Sequence, residues 1–149
     1  MLVMEQEARR FTDGTDSVIA AMIEVHRCLG PGLLESAYEA CLGAELTLRK
    51  IRFERQRSLA INYKGVRVDC GYRIDLVVEE TILVELKTVE RLLAVHEAQV
   101  ITYLRLSGLS VGLLVNFNSG MILNGLLLLT PYHPKSFRAS ALPVQSSDR

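Results

Sequence analysis

Two carboxylates and a lysine lie in segments that otherwise have the composition of buried β-strands. The stretch RIDLVVEETILVELK places Asp75, Glu85 and Lys87 among apolar and β-branched residues. Strict alternation puts Glu85 and Lys87 on one face of their strand, and it puts Asp75 on the face opposite Ile74 and Leu76. Charged groups in such strands need compensating partners, so these three residues are the first candidates for chemistry.

The length of the loop between the two strands determines whether the carboxylates meet. A three-residue loop at 79–81 places Asp75 opposite Glu85 and Arg73 opposite Lys87 in an antiparallel pair. A two-residue turn would instead send the two carboxylates to opposite faces of the sheet. The hypothesis of a shared site therefore depends on the longer loop.

Two carboxylates at opposed positions repel each other unless a cation lies between them. Oxygen ligands without Cys or His suit Mg²⁺ or Mn²⁺, and Mg²⁺ commonly takes one or two carboxylates, several waters and a substrate phosphate. Lys87 beside such an ion can stabilise phosphate charge or orient an attacking water. The alternative is an ordinary outer face on which Asp75 pairs with Arg73 or Lys87. The spacing alone leaves both interpretations open.

Hydrophobic periodicity predicts the elements that hold these residues. Asp13, Thr15 and Asp16 offer N-cap chemistry for a first helix that ends near Gly30. The predicted order is two helices, three strands, a helix that ends at Gly108, and two strands. That order, ααβββαββ, indicates an α/β or α+β domain with a mixed central sheet flanked by helices. After the first helix, the predicted ranges are 34–49, 59–63, 66–78, 82–87, 95–108, 111–115 and 121–129.

Composition limits the possible partners and the domain count. The 149 residues suit one domain, predicted over 13–130, with an extension at 1–12 and a poorly ordered tail at 131–149. The formal net charge is zero, with 17 Lys plus Arg against 17 Asp plus Glu, so no global field draws the chain to nucleic acid or to a membrane. The three cysteines show no metal-ligand spacing, and no run is apolar enough to span a bilayer, which predicts a cytoplasmic protein.

Several sequence blocks together resemble a known nuclease superfamily. Asp75, followed at hairpin distance by Glu85-Leu86-Lys87, resembles the signature of the PD-(D/E)xK nucleases, with Ile74 in place of the proline. The stretch GLLESAY resembles the Gly-x-x-Glu-x-x-Tyr motif of the bacterial GxxExxY protein family, a branch of that superfamily. The blocks FERQ, YKG, VELK, HEAQ and NF are similar to that family's recurrent blocks. The stretch QVITY is also similar to the Gln-x-x-x-Tyr motif of RecB-type exonucleases.

The resemblance implies a PD-(D/E)xK nuclease-like core and a divalent-metal-dependent nuclease. It implies that Asp75, Glu85 and the main-chain carbonyl of Leu86 hold Mg²⁺ or Mn²⁺ and that Lys87 positions the attacking water. It implies a supporting role for Gln99 and a position near the site for Tyr103. DNA is the leading substrate by this analogy. The zero net charge then indicates weak binding to DNA, so a homodimer or a partner protein could supply targeting.

Other polar residues carry two interpretations each. Glu35 either supports the metal site or, if Gly32 is the N-cap, occupies N3 and reaches back to the cap amide. His26 and His96 are expected to be structural, although the position of His96 in the HEAQ block also allows a phosphate contact. The five basic residues between 49 and 57, which include Arg55 and Arg57, are either a solvated surface or a phosphate track. Arg73 is a further candidate for binding the substrate.

Three functions remain open at this point. The first is the nuclease, and the second is a non-catalytic interaction or structural protein that keeps the nuclease-like fold. The third is a phosphohydrolase that acts on nucleotides. Against the second stands the presence together of Asp75, Glu85, Lys87 and Gln99, because a carboxylate pair without a cation lowers stability.

Overall fold

A computed structural model describes residues 14–131. Three helices and a five-stranded mixed sheet follow one another in the predicted order, which confirms the predicted fold class. The predicted extension, Asp13 and nearly all of the predicted tail lie outside the described residues, so the domain boundaries stay predictions. The elements are α1 (Thr15–Leu29), α2 (Glu35–Leu48), β1 (Phe53–Tyr63), β2 (Val66–Val78), β3 (Ile82–Lys87), α3 (Ala94–Ser107), β4 (Val111–Asn116), a 3₁₀ helix (Ile122–Gly125) and β5 (Leu126–Leu129).

The strands lie in the order β1-β2-β3-β4-β5, and one of the four pairings is parallel. Strands β3 and β4 run parallel from the Ile82–Val111 pair to the Lys87–Asn116 pair, while the other neighbours are antiparallel. A parallel pair needs a crossover connection, and α3 provides it. The crossover places α3 against the sheet next to the strand that carries Glu85 and Lys87.

The two faces of the sheet bury two separate apolar clusters. Helices α1 and α2 cover one face, where Met22 and Leu42 pack with Leu76 and Val84. Helix α3 covers the other face, where Leu104 packs among residues such as Val77 and Leu83. Residues adjacent in β3 thus enter opposite clusters, as alternation in a strand buried on both faces requires. Among residues 14–131, no helix combines the length and the hydropathy that a membrane span needs.

Helix α3 lies directly on the backbone of β4. A Cβ atom at Gly112 would be 2.7 Å from Cγ1 of Val100 and 3.0 Å from Cδ1 of Leu104. A larger residue at this position would push the helix off the sheet, because packed interiors have no spare volume. Gly112 therefore sets the height of α3 above the sheet.

The hairpin between β2 and β3 has the three-residue loop that the site hypothesis requires. Val78 pairs with Ile82 and Leu76 with Val84, and the loop spans 79–81. Backbone pairing between β2 and β3 ends at Leu76. The predicted pairing of Arg73 with Lys87 is therefore wrong. Arg73 instead pairs with Ser58 of β1.

The predicted alternation along β2 is wrong at Asp75. Ile74 packs in the cluster under α3, whereas Leu76 packs in the cluster under α1 and α2. The ladder between β1 and β2 also skips the pair of Gln56 and Asp75, and Gln56 has a φ of 55°. This left-handed residue interrupts the ladder, and the interruption explains why two alternate residues of β2 face different layers.

Three predicted element ends also differ from the structure. Leu34 is the N-cap of α2, so Glu35 is the first helical residue and the predicted capping box on Gly32 is wrong. Strand β1 begins at Phe53, well before the predicted start. The predicted last strand begins instead with the 3₁₀ turn, in which the N–H of Asn124 donates to the carbonyl of Met121 over 3.1 Å, because an Asn-Gly pair favours a turn.

Candidate active site

The carboxylates of Asp75 and Glu85 each accept a hydrogen bond from the backbone of the neighbouring strand, at the point where backbone pairing between β2 and β3 ends. The main-chain N–H of Asp75 donates to Oε1 of Glu85 over 3.1 Å. The main-chain N–H of Leu86 donates to Oδ2 of Asp75 over 2.9 Å. The two side chains thus take the place of the next backbone pair. The structure brings together the two carboxylates that the sequence singled out.

Burial makes the charged form of both acids costly. Glu85 is 4% exposed. Burial raises its pKa to about 8, and the neighbouring charge of Asp75 adds to the rise, against the Asp75 N–H and Lys87. Burial also raises the pKa of Asp75, and Glu39 contributes, while the Leu86 N–H, Gln56 and Lys87 act in the opposite direction. The pair therefore lacks enough positive charge from the protein to compensate two ionised carboxylates.

A chain of hydrogen bonds connects the end of β3 to α3. The ammonium of Lys87 donates to Oε1 of Gln99 over 3.1 Å, and Nε2 of Gln99 donates to the hydroxyl oxygen of Tyr103 over 3.2 Å. Gln99 and Tyr103 are one helical turn apart, so one face of α3 holds both. Burial raises the pKa of the Tyr103 phenol, which keeps it neutral. The structure thus joins Lys87, Gln99 and Tyr103 by hydrogen bonds, and their roles in a site stay predictions.

Helix α2 approaches Asp75 from the other layer. A cavity of about 400 Å³ is bounded by Glu35, Glu39, Gln56 and Asp75, with Leu34 and Ser36 at its rim. Burial raises the pKa of Glu35, and the charge of Asp75 raises it further while Lys87 lowers it. Glu35 therefore lies within the electrostatic field of the candidate site.

Glu39 and Gln56 belong to the site, although sequence reasoning did not select them. Nε2 of Gln56 donates to Oδ1 of Asp75 over 3.3 Å and also to Oε1 of Glu39. Arg55 donates to Oε2 of Glu39 over 2.8 Å, so Glu39 accepts from both β1 residues. Two signals were available: Glu39 is one helical turn after Glu35, and Gln56 closes the FERQ block.

The four arginines between 49 and 57 form ion pairs with glutamates. Arg57 contacts Glu54 at 2.7 Å and Glu80 at 2.6 Å. Arg55 contacts Glu39, and the remaining two arginines of the cluster also pair with carboxylates. Arg73, in contrast, is exposed and forms no ion pair with any carboxylate in residues 14–131. The structure brings Arg55 to the rim of the site through Glu39, but it directs Arg57 to the β2–β3 loop.

Other motif residues have structural roles. Tyr38 is fully buried, its hydroxyl donates to the Gly30 carbonyl, and the N–H of Leu33 donates to that hydroxyl over 3.1 Å. Its ring stacks on Phe117 with centroids 4.7 Å apart. Asn116 holds the segment after Lys87, because its Nδ2 donates to the Val89 carbonyl over 2.8 Å and its Oδ1 accepts the Val89 N–H over 3.1 Å.

The two histidines also make local contacts. Nε2 of His26 lies 2.7 Å from the carbonyl oxygen of Ser119, and the ring is largely buried. The main-chain N–H of Leu93 donates to Nδ1 of His96 over 2.9 Å, at the N-terminus of α3. The structural roles expected for both residues, and the alternative phosphate contact of His96, stay predictions.

The donor atoms near Asp75 fit a hard divalent cation. Within residues 14–131, no group of three or more His, Cys, Asp or Glu side chains is arranged to hold a metal ion. Mg²⁺ commonly takes one or two carboxylates and keeps several waters, so two acids and a main-chain carbonyl are a sufficient set. Burial, the main cause of the raised pKa values of Asp75 and Glu85, makes their ionised forms costly, and a cation bound between them would favour those forms.

The comparison with protein families agrees with this geometry. A family model described as PD-(D/E)XK nuclease superfamily matches residues 12–126 of the chain. Neither a curated protein sequence nor a solved structure gives a significant match. Since the family model covers most of the chain, the protein belongs to the PD-(D/E)XK nuclease superfamily.

Proposed function

We propose that the protein is a divalent-metal-dependent nuclease that hydrolyses phosphodiester bonds, with DNA as its leading substrate. The observation that carries the proposal is a pair of hydrogen bonds next to Lys87, one from the Asp75 N–H to the Glu85 carboxylate and one from the Leu86 N–H to the Asp75 carboxylate. Superfamily membership supports the reaction class. The GLLESAY block supports assignment to the GxxExxY branch, which is part of the same proposal.

The proposal gives each residue of the site a distinct task. Asp75, Glu85 and the Leu86 carbonyl hold Mg²⁺ or Mn²⁺. When bound, the ion supplies positive charge for the phosphate and lowers the pKa of a coordinated water. Lys87 holds the attacking water, and Gln99 fixes the Lys87 ammonium through their 3.1 Å bond. Glu35 lies in the supporting shell beside Asp75.

Residues outside the metal site contact the nucleic acid in this proposal. Arg73 is the leading phosphate contact, since no carboxylate in residues 14–131 forms an ion pair with it. Arg55 and Arg57 remain proposed contacts that exchange their glutamate partners for phosphate. Tyr103 lies beside the bound nucleic-acid strand. Because the net charge is zero, a homodimer or a targeting partner adds affinity. Cytoplasmic localisation stays a prediction from the sequence.

The first test measures binding of Mg²⁺ and Mn²⁺ by calorimetry, because it needs no assumption about the substrate. The wild type is compared with Asp75→Asn and Glu85→Gln, and Glu24→Gln on the exposed face of α1 serves as the matched control. We expect binding in the wild type and in the control and a loss in both site variants. Binding that survives in both site variants would place the ion elsewhere.

The second test measures cleavage of supercoiled, linear and single-stranded DNA with Mg²⁺, Mn²⁺ or a chelator. We expect cleavage that needs the metal and that falls about 100-fold or more in Lys87→Ala and Glu85→Gln. Nucleotide hydrolysis without DNA cleavage would favour the phosphohydrolase. A folded protein that binds no metal, alone or with DNA, and cleaves nothing would favour the non-catalytic interaction protein.

A further inference from the structure

A second cavity lies on the α3 side of the arm formed by the outer parts of β1 and β2. Its volume is about 450 Å³, and both β-strand and helix residues line it. The lining is apolar and aromatic with a few hydrogen-bonding groups, and it contains no carboxylate. Its residues are Ile61, Tyr72, Val95, His96, Ala98, Gln99, Thr102, Tyr103 and Leu106. We call this cavity the tyrosine groove.

The tyrosine groove is linked to the candidate active site through Gln99. Gln99 and Tyr103 line the groove, and Gln99 also accepts the hydrogen bond from Lys87. A ligand in the groove therefore lies one side chain away from the lysine that the proposed function assigns to catalysis. The cavity near α2 differs in charge, because Glu35, Glu39 and Asp75 line it. The carboxylates of that cavity repel the phosphates of a nucleic-acid strand, whereas the groove has no carboxylate in its lining.

Tyr72 gives the groove an exposed aromatic surface. The residue is 43% exposed, and its ring centroid lies 5.9 Å from that of Tyr103 at a tilt of 58°. Tyr103 is 6% exposed and hydrogen-bonded to Gln99, so the packed helix holds the pair in place. An exposed aromatic ring of this kind is a surface on which nucleobases stack.

The polar groups of the groove suit the edge of a base. Nδ1 of His96 accepts the N–H of Leu93, so the neutral imidazole carries its proton on Nε2 and is a donor there. Thr102 is exposed and offers a hydroxyl that both donates and accepts. These groups, together with the hydroxyl of Tyr103, provide donors and acceptors around an aromatic face.

We propose that the tyrosine groove binds an unpaired nucleobase next to the scissile phosphate, with Tyr72 as the stacking surface. The substrate class is therefore single-stranded nucleic acid or the unpaired end of a duplex, since stacked neighbours cover both faces of a base inside a duplex and pairing occupies its edge. This inference rests on the proposed function for the identity of the strand. Tyr72 acts as a binding residue and takes no part in the chemistry.

The test is binding of a short labelled single strand, measured by fluorescence anisotropy in a chelator so that cleavage does not occur. The single strand is compared with the same sequence in a blunt duplex, for wild type, Tyr72→Leu and Tyr72→Phe. Tyr63→Leu is the matched control, since Tyr63 is an exposed tyrosine of the same arm outside the groove. Thermal unfolding confirms that each variant is folded.

We expect the wild type to prefer the single strand, and we expect Tyr72→Leu to weaken that binding about tenfold. Tyr72→Phe should stay close to wild type because it keeps the ring, and Tyr63→Leu should show no change. Equal binding by wild type and Tyr72→Leu, an equal loss in Tyr63→Leu, or a preference for the duplex overturns the proposal. A wild-type dimer that Tyr72→Leu converts to monomer in sedimentation, without a change in strand affinity, also overturns it.

Cleavage assays on the same variants separate this proposal from the proposed function. If binding of the single strand depends on Tyr72 but the wild type cleaves nothing, the groove proposal is supported and the nuclease proposal is contradicted. If Glu85→Gln abolishes cleavage but the Tyr72 variants bind the single strand like the wild type, the nuclease proposal is supported and the groove proposal is contradicted.

Discussion

The main-chain N–H of Asp75 donates to Oε1 of Glu85 over 3.1 Å, at the point where β2 and β3 stop pairing through their backbones. The side chain of Glu85 thus closes the hairpin as a backbone carbonyl would. The same carboxylate is one of the three proposed metal ligands. Its structural role and its proposed chemical role therefore compete, and they can be separated by experiment.

Replacement of Glu85 by glutamine should preserve the fold and remove metal binding. The amide oxygen of glutamine can still accept the Asp75 N–H, and it carries no charge that burial penalises. We expect Glu85→Gln to unfold at the same temperature as the metal-free wild type or higher, and to lose Mg²⁺ binding. Calorimetry and thermal unfolding on the same samples give both quantities. Unfolding well below the wild type would show that the ionised group stabilises the metal-free protein.

The stability of the metal-free protein should fall with rising pH because of Glu85. Its pKa is about 8 in the folded protein against an ordinary value of 4.5, so the folded state binds its proton more tightly. The contribution of Glu85 to stability is therefore fully present below about pH 4.5 and is lost as the pH rises through about 8. The measurement is the difference in unfolding free energy between wild type and Glu85→Gln across this range. A constant difference would contradict the prediction.

Helix α3 should depend on the absence of a side chain at position 112. Gly112→Ala places a Cβ 2.7 Å from Cγ1 of Val100 and should lower the unfolding free energy by about 1–3 kcal/mol. Gly120→Ala is the matched control, because no atom lies within 4 Å of a Cβ there. Urea denaturation measures both. Equal stability of the two variants would show that α3 shifts at little cost.

The hydroxyl of Tyr38 should stabilise the loop before α2. It donates to the Gly30 carbonyl and accepts the Leu33 N–H, and both groups lose a partner in Tyr38→Phe. We expect a loss of about 1–3 kcal/mol in unfolding free energy, with the stack on Phe117 retained. Metal binding should be unchanged, since the hydroxyl bonds to the loop and not to the carboxylates. A large loss of metal affinity would instead place Tyr38 in the site.

Arg73 should contribute more to the salt dependence of DNA binding than Arg57. Arg57 already contacts two glutamates, whereas Arg73 has no such ion pair within the described residues. Arg73→Ala should lower the slope of log affinity against log salt by about 1, and Arg57→Ala should lower it less. Affinities at several salt concentrations test this. A larger change for Arg57→Ala would indicate that phosphate displaces both glutamates.

The sequence predicted the parts of the site that depend on local pattern. The three-residue loop brings Asp75 near Glu85 as expected, although the alternation predicted along β2 fails at Asp75. Helical spacing placed Gln99 beside Tyr103. These relations span few residues, and backbone geometry fixes them.

Relations between distant elements could not be predicted in this way. The role of Glu39 depends on how α2 packs against β1, and the left-handed Gln56 carries no sequence signal for its φ of 55°. The pairing of Arg57 with Glu80 joins strand β1 to the loop between β2 and β3, two segments 23 residues apart in the sequence. Each is a consequence of tertiary packing, which overrides local preference.

The outer end of the β1–β2 arm offers a place to attach a probe. Residues 62–70 are exposed, and the turn at Lys64 and Gly65 joins two strands that at this end pair with each other rather than with β3. Exposed turns with few contacts accept added chain more readily than packed elements do. A fluorophore or a surface tether attached there leaves both helical layers untouched. The protein can then be immobilised at a point away from its carboxylate pair.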